Sequence, residues 1–273
     1  MINIYGTIGY TILQNNKYNK KIIIMADMHD TLPSCSKKEI NISDWFKSKF
    51  NTSGILLEEV PRDNVVLEEL WGQSKHTQQL KRLYLNNPKI IDPVDIRPLL
   101  IPFSWELINQ VPENNMKFKR YLLYIDNFFS LKNSYLKKKL VNYNVDHLVN
   151  SNLGKHFLKI KKIYYKFLLS NYGYLKKDIK YIYQNKVHIL NDFNDILNHI
   201  MEWFICAKIN INKKKSIILH TGLAHSEKVI QLLIKYYNYN IIMKNGVNTL
   251  EESDSSQISG CIELSPQFDQ LFG

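Results

Sequence analysis

The chain has 273 residues, enough for one substantial core or one core with a large insertion, and its 45% apolar and 22% charged shares exclude wholesale disorder. Its net charge of +11 comes from 36 basic against 25 acidic residues, and only Arg62, Arg82, Arg97 and Arg120 are arginine. With abundant Asn, Ile and Tyr, that lysine bias points to an AT-rich genome, such as that of a large DNA virus or an intracellular parasite, rather than to an activity.

Residues 3–13 (NIYGTIGYTIL) are rich in β-branched and aromatic side chains and predict a strand. The polar NNKYNKK turns the chain back into IIIMAD, so a hairpin is expected. A loop follows over 30–43, and ISDWFKSKF suits a short helix capped by Ser43 or Asp44. GILLEEV (54–60) is a buried strand, and Val66, Leu67, Leu70, Leu80, Leu83 and Tyr84 suit a helix between Asp63 and Asn86. PKIIDPVDIRPLLIP is extended and broken by proline.

From about 105 to 208 the pattern is helical: Tyr121, Leu122, Ile125, Phe128 and Phe129, then Phe157, Ile160, Ile163, Tyr164, Phe167 and Leu168. Residues 131–186 hold thirteen lysines against Asp146 and Asp178, so most of the excess charge lives here. Strand character returns with SIILHTGLAH (216–225), then a helix over SEKVIQLLIKYY capped by Ser226, and a last strand, YNIIMKNGV. LEESDSSQ reads as a loop. The expected fold is α/β: a central mixed, largely parallel sheet with flanking helices. Its core is 1–104 with 209–273, interrupted by a lysine-rich helical insertion over 105–208.

Cys35, Cys206 and Cys261 are few, odd in number and without C-x-x-C spacing, which predicts neither a disulfide framework nor a zinc ribbon and fits a reducing compartment. No basic segment with a following apolar run marks a secretory signal, and no apolar run approaches the ~20 residues of a membrane span. A cytoplasmic chain is the expectation.

Four sheet segments end on ionisable groups. IIIMADMHD ends on Asp27, His29 and Asp30, GILLEEV on Glu58 and Glu59, IIDPVDIRP carries Asp92, Asp95 and Arg97, and SIILHTGLAH ends on His220 and His225. Ligands of open α/β sheets bind beyond the carboxyl ends of strands, where loops converge functional groups. Two histidines with a carboxylate are a common catalytic zinc set, and without metal the same groups serve as general base, acid and orienter. Neighbouring strand residues face opposite ways, so only one of Glu58 and Glu59 can face a site in a regular strand; Glu58 is preferred.

A-x-x-H at 26–29, L-E-E at 57–59, V-D-I-R at 94–97 and G-x-x-H at 222–225 follow the motif order of the erythromycin esterase, ChaN and TIKI/TraB-like superfamily, which this chain resembles over roughly a third of its length. Ala26 stands where that family has glycine, and the lysine-rich block has no counterpart. The resemblance implies a hydrolytic site, peptide-directed in the metal-dependent branch and ester- or lactone-opening in the metal-free branch; ChaN-like relatives are associated with haem or iron. It makes His29, Glu58 (or Glu59) and His225 the catalytic groups or the ligands of a divalent metal such as zinc, manganese or cobalt. Arg97 would bind an anionic group, with Asp27, Asp30, Asp95 and His220 in support.

Plainer readings stand beside these. His29 and His225 could be solvated loop histidines, and His220 a core histidine. Asp27 and Asp30 could cap, and Asp95 with Arg97 could form a structural ion pair. His76, His147, His156, His188 and His199 lack paired spacing and read as structural or exposed, and Cys206 as core. No G-x-S-x-G, P-loop or G-x-G-x-x-G is present. YLKKKL and FLKIKKIYYKFLL interleave lysine with aromatics, as a nucleic-acid or anionic-membrane surface would, although solvated helix faces are the weightier explanation. The leading expectation is a hydrolase acting on a small molecule or peptide. The alternative is a non-catalytic relative of the same fold that binds a ligand, nucleic acid or host protein.

Overall fold

The computed structural model describes residues 2–28, 32, 33, 35, 39–61, 74–100, 116–130, 151–255, 258–265, 267 and 268, the side chains of 59–61, 99 and 255 excepted. They form two compact units, Met1–Asp95 with Lys208–Gly273, and Ile96–Ala207. The first part of the chain contributes β1 (Ile2–Tyr5), β2 (Gly9–Asn15), β3 (Lys20–Asp27), β4 (Glu39–Asn41), α1 (Ile42–Lys49), β5 (Ser53–Pro61), α2 (Lys75–Asn86) and β6 (Ile91–Asp95). The middle contributes α3 (Arg97–Leu100), α4 (Phe118–Phe129), α5 (Asn152–Ser170), a 3-10 turn (Tyr172–Tyr174), α6 (Ile179–Asn185) and α7 (Val187–Ile211). The last part returns with β7 (Ser216–Gly222), α8 (Leu223–Tyr237), β8 (Asn240–Gly246), α9 (Leu250–Ser255) and β9 (Cys261–Leu264).

The expected α/β architecture is present. Six strands lie in the order β6-β5-β7-β3-β2-β8. β6, β5, β7 and β3 run parallel, and β2 and β8 close one edge antiparallel. One face of this sheet carries Tyr10, Ile12, Ile23, Met25, Ile55, Leu57 and Ile218, packed with Trp45 and Phe46 of α1 and Leu80 and Leu83 of α2. The alternate residues Ile22, Ile24, Leu56, Ile217 and Leu219 are also buried, and α8 packs over β2, β3 and β7. Burial on both faces is why these strands read as continuous apolar runs rather than as alternating ones.

Residues 3–13 make two strands rather than one. Gly6 between them has φ 108°, a conformation that side chains with a Cβ rarely adopt, and it turns β1 out of the main sheet. β1 instead pairs with β4 and β9 in a second, three-stranded sheet. Thr7 Oγ1 and the Ile8 amide both donate to the Ala26 carbonyl, at 2.7 and 2.9 Å, fixing the end of β3 at this crossing.

The disulfide expectation is corrected. Cys35 and Cys261 are bonded, with Cα atoms 5.3 Å apart and a sequence separation of 226. Spacing along the chain cannot reveal such a pair, because β9 reaches the loop after β3 only by docking on β1. Cys206 takes no part in a disulfide and is buried, and burial, then nearby Glu202, pushes its thiol well up. Local details also differ from expectation. Asn41, not Ser43 or Asp44, precedes α1, and Ser226 lies inside α8 with its hydroxyl on the Leu223 carbonyl at 2.8 Å. Leu250–Ser255 is helical, its start held by Glu252 Oε2 accepting from the Asn248 and Thr249 amides at 2.6 and 3.1 Å.

The second unit is helical. Tyr121, Leu122, Ile125, Phe128 and Phe129 of α4 and Ile160, Tyr164 and Phe167 of α5 are buried, whereas Ile163 stays 37% exposed. Phe128, Phe157 and Trp203 form an aromatic core, and Tyr164 donates to Asp126 at 2.9 Å. Among the described residues no helix is long and apolar enough to cross a membrane.

Candidate active site

β5 and β7 are parallel neighbours, with Leu57 beside His220. The next residues, Glu58 and Thr221, therefore share the opposite face, and Ala26 of β3 lies beside Thr221. Thr221 Oγ1 donates to Glu58 Oε2, and the Gly222 amide donates to the same oxygen at 2.8 Å. Gly222 precedes the first turn of α8, so the carboxylate also sits at the positive end of that helix. Within the first turn of α8, His225 brings Nε2 to 3.6 Å from Glu58 Oε1. The Glu58 side chain is 4% exposed and that of His225 15%, so solvent reaches the pair from the histidine side.

Strand parity sends Asp27 and His220 to the other face. His76 Nε2 lies 2.9 Å from both carboxyl oxygens of Asp27, and both side chains are wholly buried. Ser74, which caps α2, is 3.3 Å from the same nitrogen. This is not a nucleophile triad, in which aspartate and serine address opposite ring nitrogens. His220 Nε2 donates to the Gly6 carbonyl at 2.9 Å, and the His220 ring meets Phe46 edge-on. A Cβ on Gly6 would come 2.8 Å from the Cβ of His76. Tyr5 packs edge-on to His76, and burial, then the charges of Glu39 and Asp27, raises its phenol.

The structure thus brings Glu58 and His225 together and separates them from Asp27 and His220 by the thickness of the sheet. His29 and Asp30 lie outside the described residues, as does the side chain of Glu59. Asp95 is buried at the end of β6. Arg97, in the helical unit, donates to Asn198 at 2.9 Å. Two partners escaped sequence reasoning. His76 had a signal in Asp27, whose inward parity in a buried strand demanded a polar neighbour. Thr221, a hydroxyl beside a strand-end motif, had a weaker one.

Among the described residues no group of three or more His, Cys, Asp or Glu side chains is arranged to hold a metal. Glu58 Oε1 and His225 Nε2 do suit one as a pair: their 3.6 Å separation is near the roughly 3.3 Å between two ligands of a tetrahedral zinc. No family model matches the chain, and neither a curated protein nor a solved structure does.

Proposed function

We propose that the chain is a hydrolase of ester, lactone or peptide bonds, with its reaction centre at the ends of β5 and β7. The observation that carries this reading is the Glu58–His225 pair: a carboxylate held by two donors through one oxygen, its other oxygen facing a histidine that reaches solvent. The order of strand-end motifs, which resembles that of the erythromycin esterase, ChaN and TIKI/TraB-like superfamily, supports it. In this reading His225 takes a proton from the attacking water, and Glu58 orients the ring and stabilises the imidazolium that forms. The second histidine that the motif order names, His29, lies outside the described residues.

If the enzyme is metal-dependent, Glu58 and His225, with His29, would instead hold a divalent zinc, manganese or cobalt ion. Such an ion would polarise the carbonyl and lower the pKa of its bound water. The test is the metal content of the purified protein together with a panel of ester, lactone and peptide substrates, repeated on Glu58→Gln and His225→Ala. Activity in the parent that falls by about a hundredfold or more in both variants is the expected result. Undiminished turnover in His225→Ala ends the proposal.

A second reading has its own observation. Both donors to Glu58 Oε2 belong to the entrance of α8, so the carboxylate also serves as a helix cap, and a ligand- or host-protein-binding relative of the same fold would keep it. A metal-free protein inert on the whole panel favours that reading. The cytoplasmic setting stands in tension with the Cys35–Cys261 bond, since disulfides persist mainly in oxidising compartments. Thiol analysis of the chain in its native setting decides between them.

A further inference from the structure

We propose that the outer face of α5 and the turn after it form a docking surface for an anionic lipid bilayer. Residues 151–177 contain seven lysines and no acidic residue, so the segment itself is uniformly positive. Lys155, Lys162 and Lys166 repeat at helical spacing and are all exposed, which sets them in one outward row. Leu158, Tyr165 and Leu169 fall on the flank of that row by the same spacing, with exposures of 43%, 46% and 79%. Tyr172, in the 3-10 turn, adds a ring that is 73% exposed.

The opposite side of the helix explains none of this, because Leu153, Ile160, Tyr164 and Phe167 already supply the packing against the unit's own core. A solvated lysine face would carry polar residues between its cations; this one carries leucine and tyrosine. That combination fits the headgroup region of a membrane, where lysines meet anionic phosphates while leucine and tyrosine enter the acyl boundary. A phosphate backbone would use the lysines but would leave Leu169 without a partner, so a bilayer accounts for more of the face than a nucleic acid does.

The experiment is co-sedimentation of the full chain with phosphatidylcholine vesicles containing roughly 30 mol% phosphatidylserine, against pure phosphatidylcholine vesicles, single-stranded RNA and duplex DNA. Expected is binding to the anionic vesicles, none to the neutral ones, and slowed amide exchange over residues 155–172 when the unmodified chain is bound. K155E/K162E/K166E should weaken binding by about a hundredfold. L169S/Y172S, which leaves the charge unchanged, should weaken it by about tenfold. Thermal melts that match the parent establish that these surface variants are folded, and the exchange measurement needs no variant. No binding to anionic vesicles, an unchanged affinity in either variant, or protection elsewhere than 155–172 overturns the proposal. So does a nucleic-acid affinity that exceeds the vesicle affinity and is indifferent to L169S/Y172S.

Discussion

One oxygen of Glu58 is bonded to Thr221 and Gly222 at the entrance of α8, while the other faces His225 Nε2 across 3.6 Å. The carboxylate is thereby both an anchor and an open group, and the two roles are separable by substitution. Glu58→Ala leaves a buried amide and a hydroxyl without their acceptor, which should cost about 1–3 kcal/mol. Glu58→Gln retains an acceptor oxygen and should cost less. Urea unfolding of the parent and the two variants checks the order, and a Glu58→Ala variant as stable as the parent would mean that the carboxylate anchors nothing.

The Asp27–His76 pair is wholly buried on the other side of the sheet, so its loss should be felt in stability rather than in turnover. Asp27→Ala or His76→Ala alone should cost about 3–5 kcal/mol, because the remaining group stays buried and loses its closest partner. The double variant should cost clearly less than the sum, and a thermodynamic cycle measured by denaturant unfolding reads that coupling.

Lys20 supplies a pH dependence. Its ammonium donates to the carbonyls of Ile209, Asn210 and Asn212 at 3.0, 3.1 and 2.8 Å, yet burial, then the charge of Lys215, lowers its pKa from 10.5 to about 8. Between those two values the unfolded chain holds a proton that the folded chain has released. The unfolded state then binds more protons, so this residue's contribution to stability rises with pH across that window. Urea midpoints at the two ends of the window should show the rise in the parent and its absence in Lys20→Met.

The Cys35–Cys261 bond closes a loop of most of the chain. Its removal by Cys35→Ser should lower stability by about 2–5 kcal/mol. Thiol titration of the unreduced, denatured chain should find Cys206 alone; three reactive thiols would refute the pairing.

Gly6 tests how the two sheets meet. Gly6→Ala places a methyl group against His76 and Ile42 in a backbone conformation unfavourable to alanine. It should destabilise by several times the roughly 1 kcal/mol at which glycine and alanine ordinarily differ. A thermal melt suffices to see it.

The sheet was legible in the sequence because strands buried on both faces must be apolar along most of their length, as IIIMAD, GILLE and SIILHTG are up to the polar groups on which they end. The helices of the second unit were legible for a related reason, since 3.6-residue spacing records which side meets a core. Strand alternation allowed only one of Glu58 and Glu59 to face a site, but it is the pairing of β5 with β7, which the chain alone does not give, that puts Glu58 on the face that Thr221 shares. Which elements become neighbours is a different kind of information. That β7 inserts between β3 and β5, that Asp27 finds His76, and that Cys35 meets Cys261 depend on contacts between distant segments. Local periodicity records only whether a side chain is buried, and tertiary packing alone decides against what.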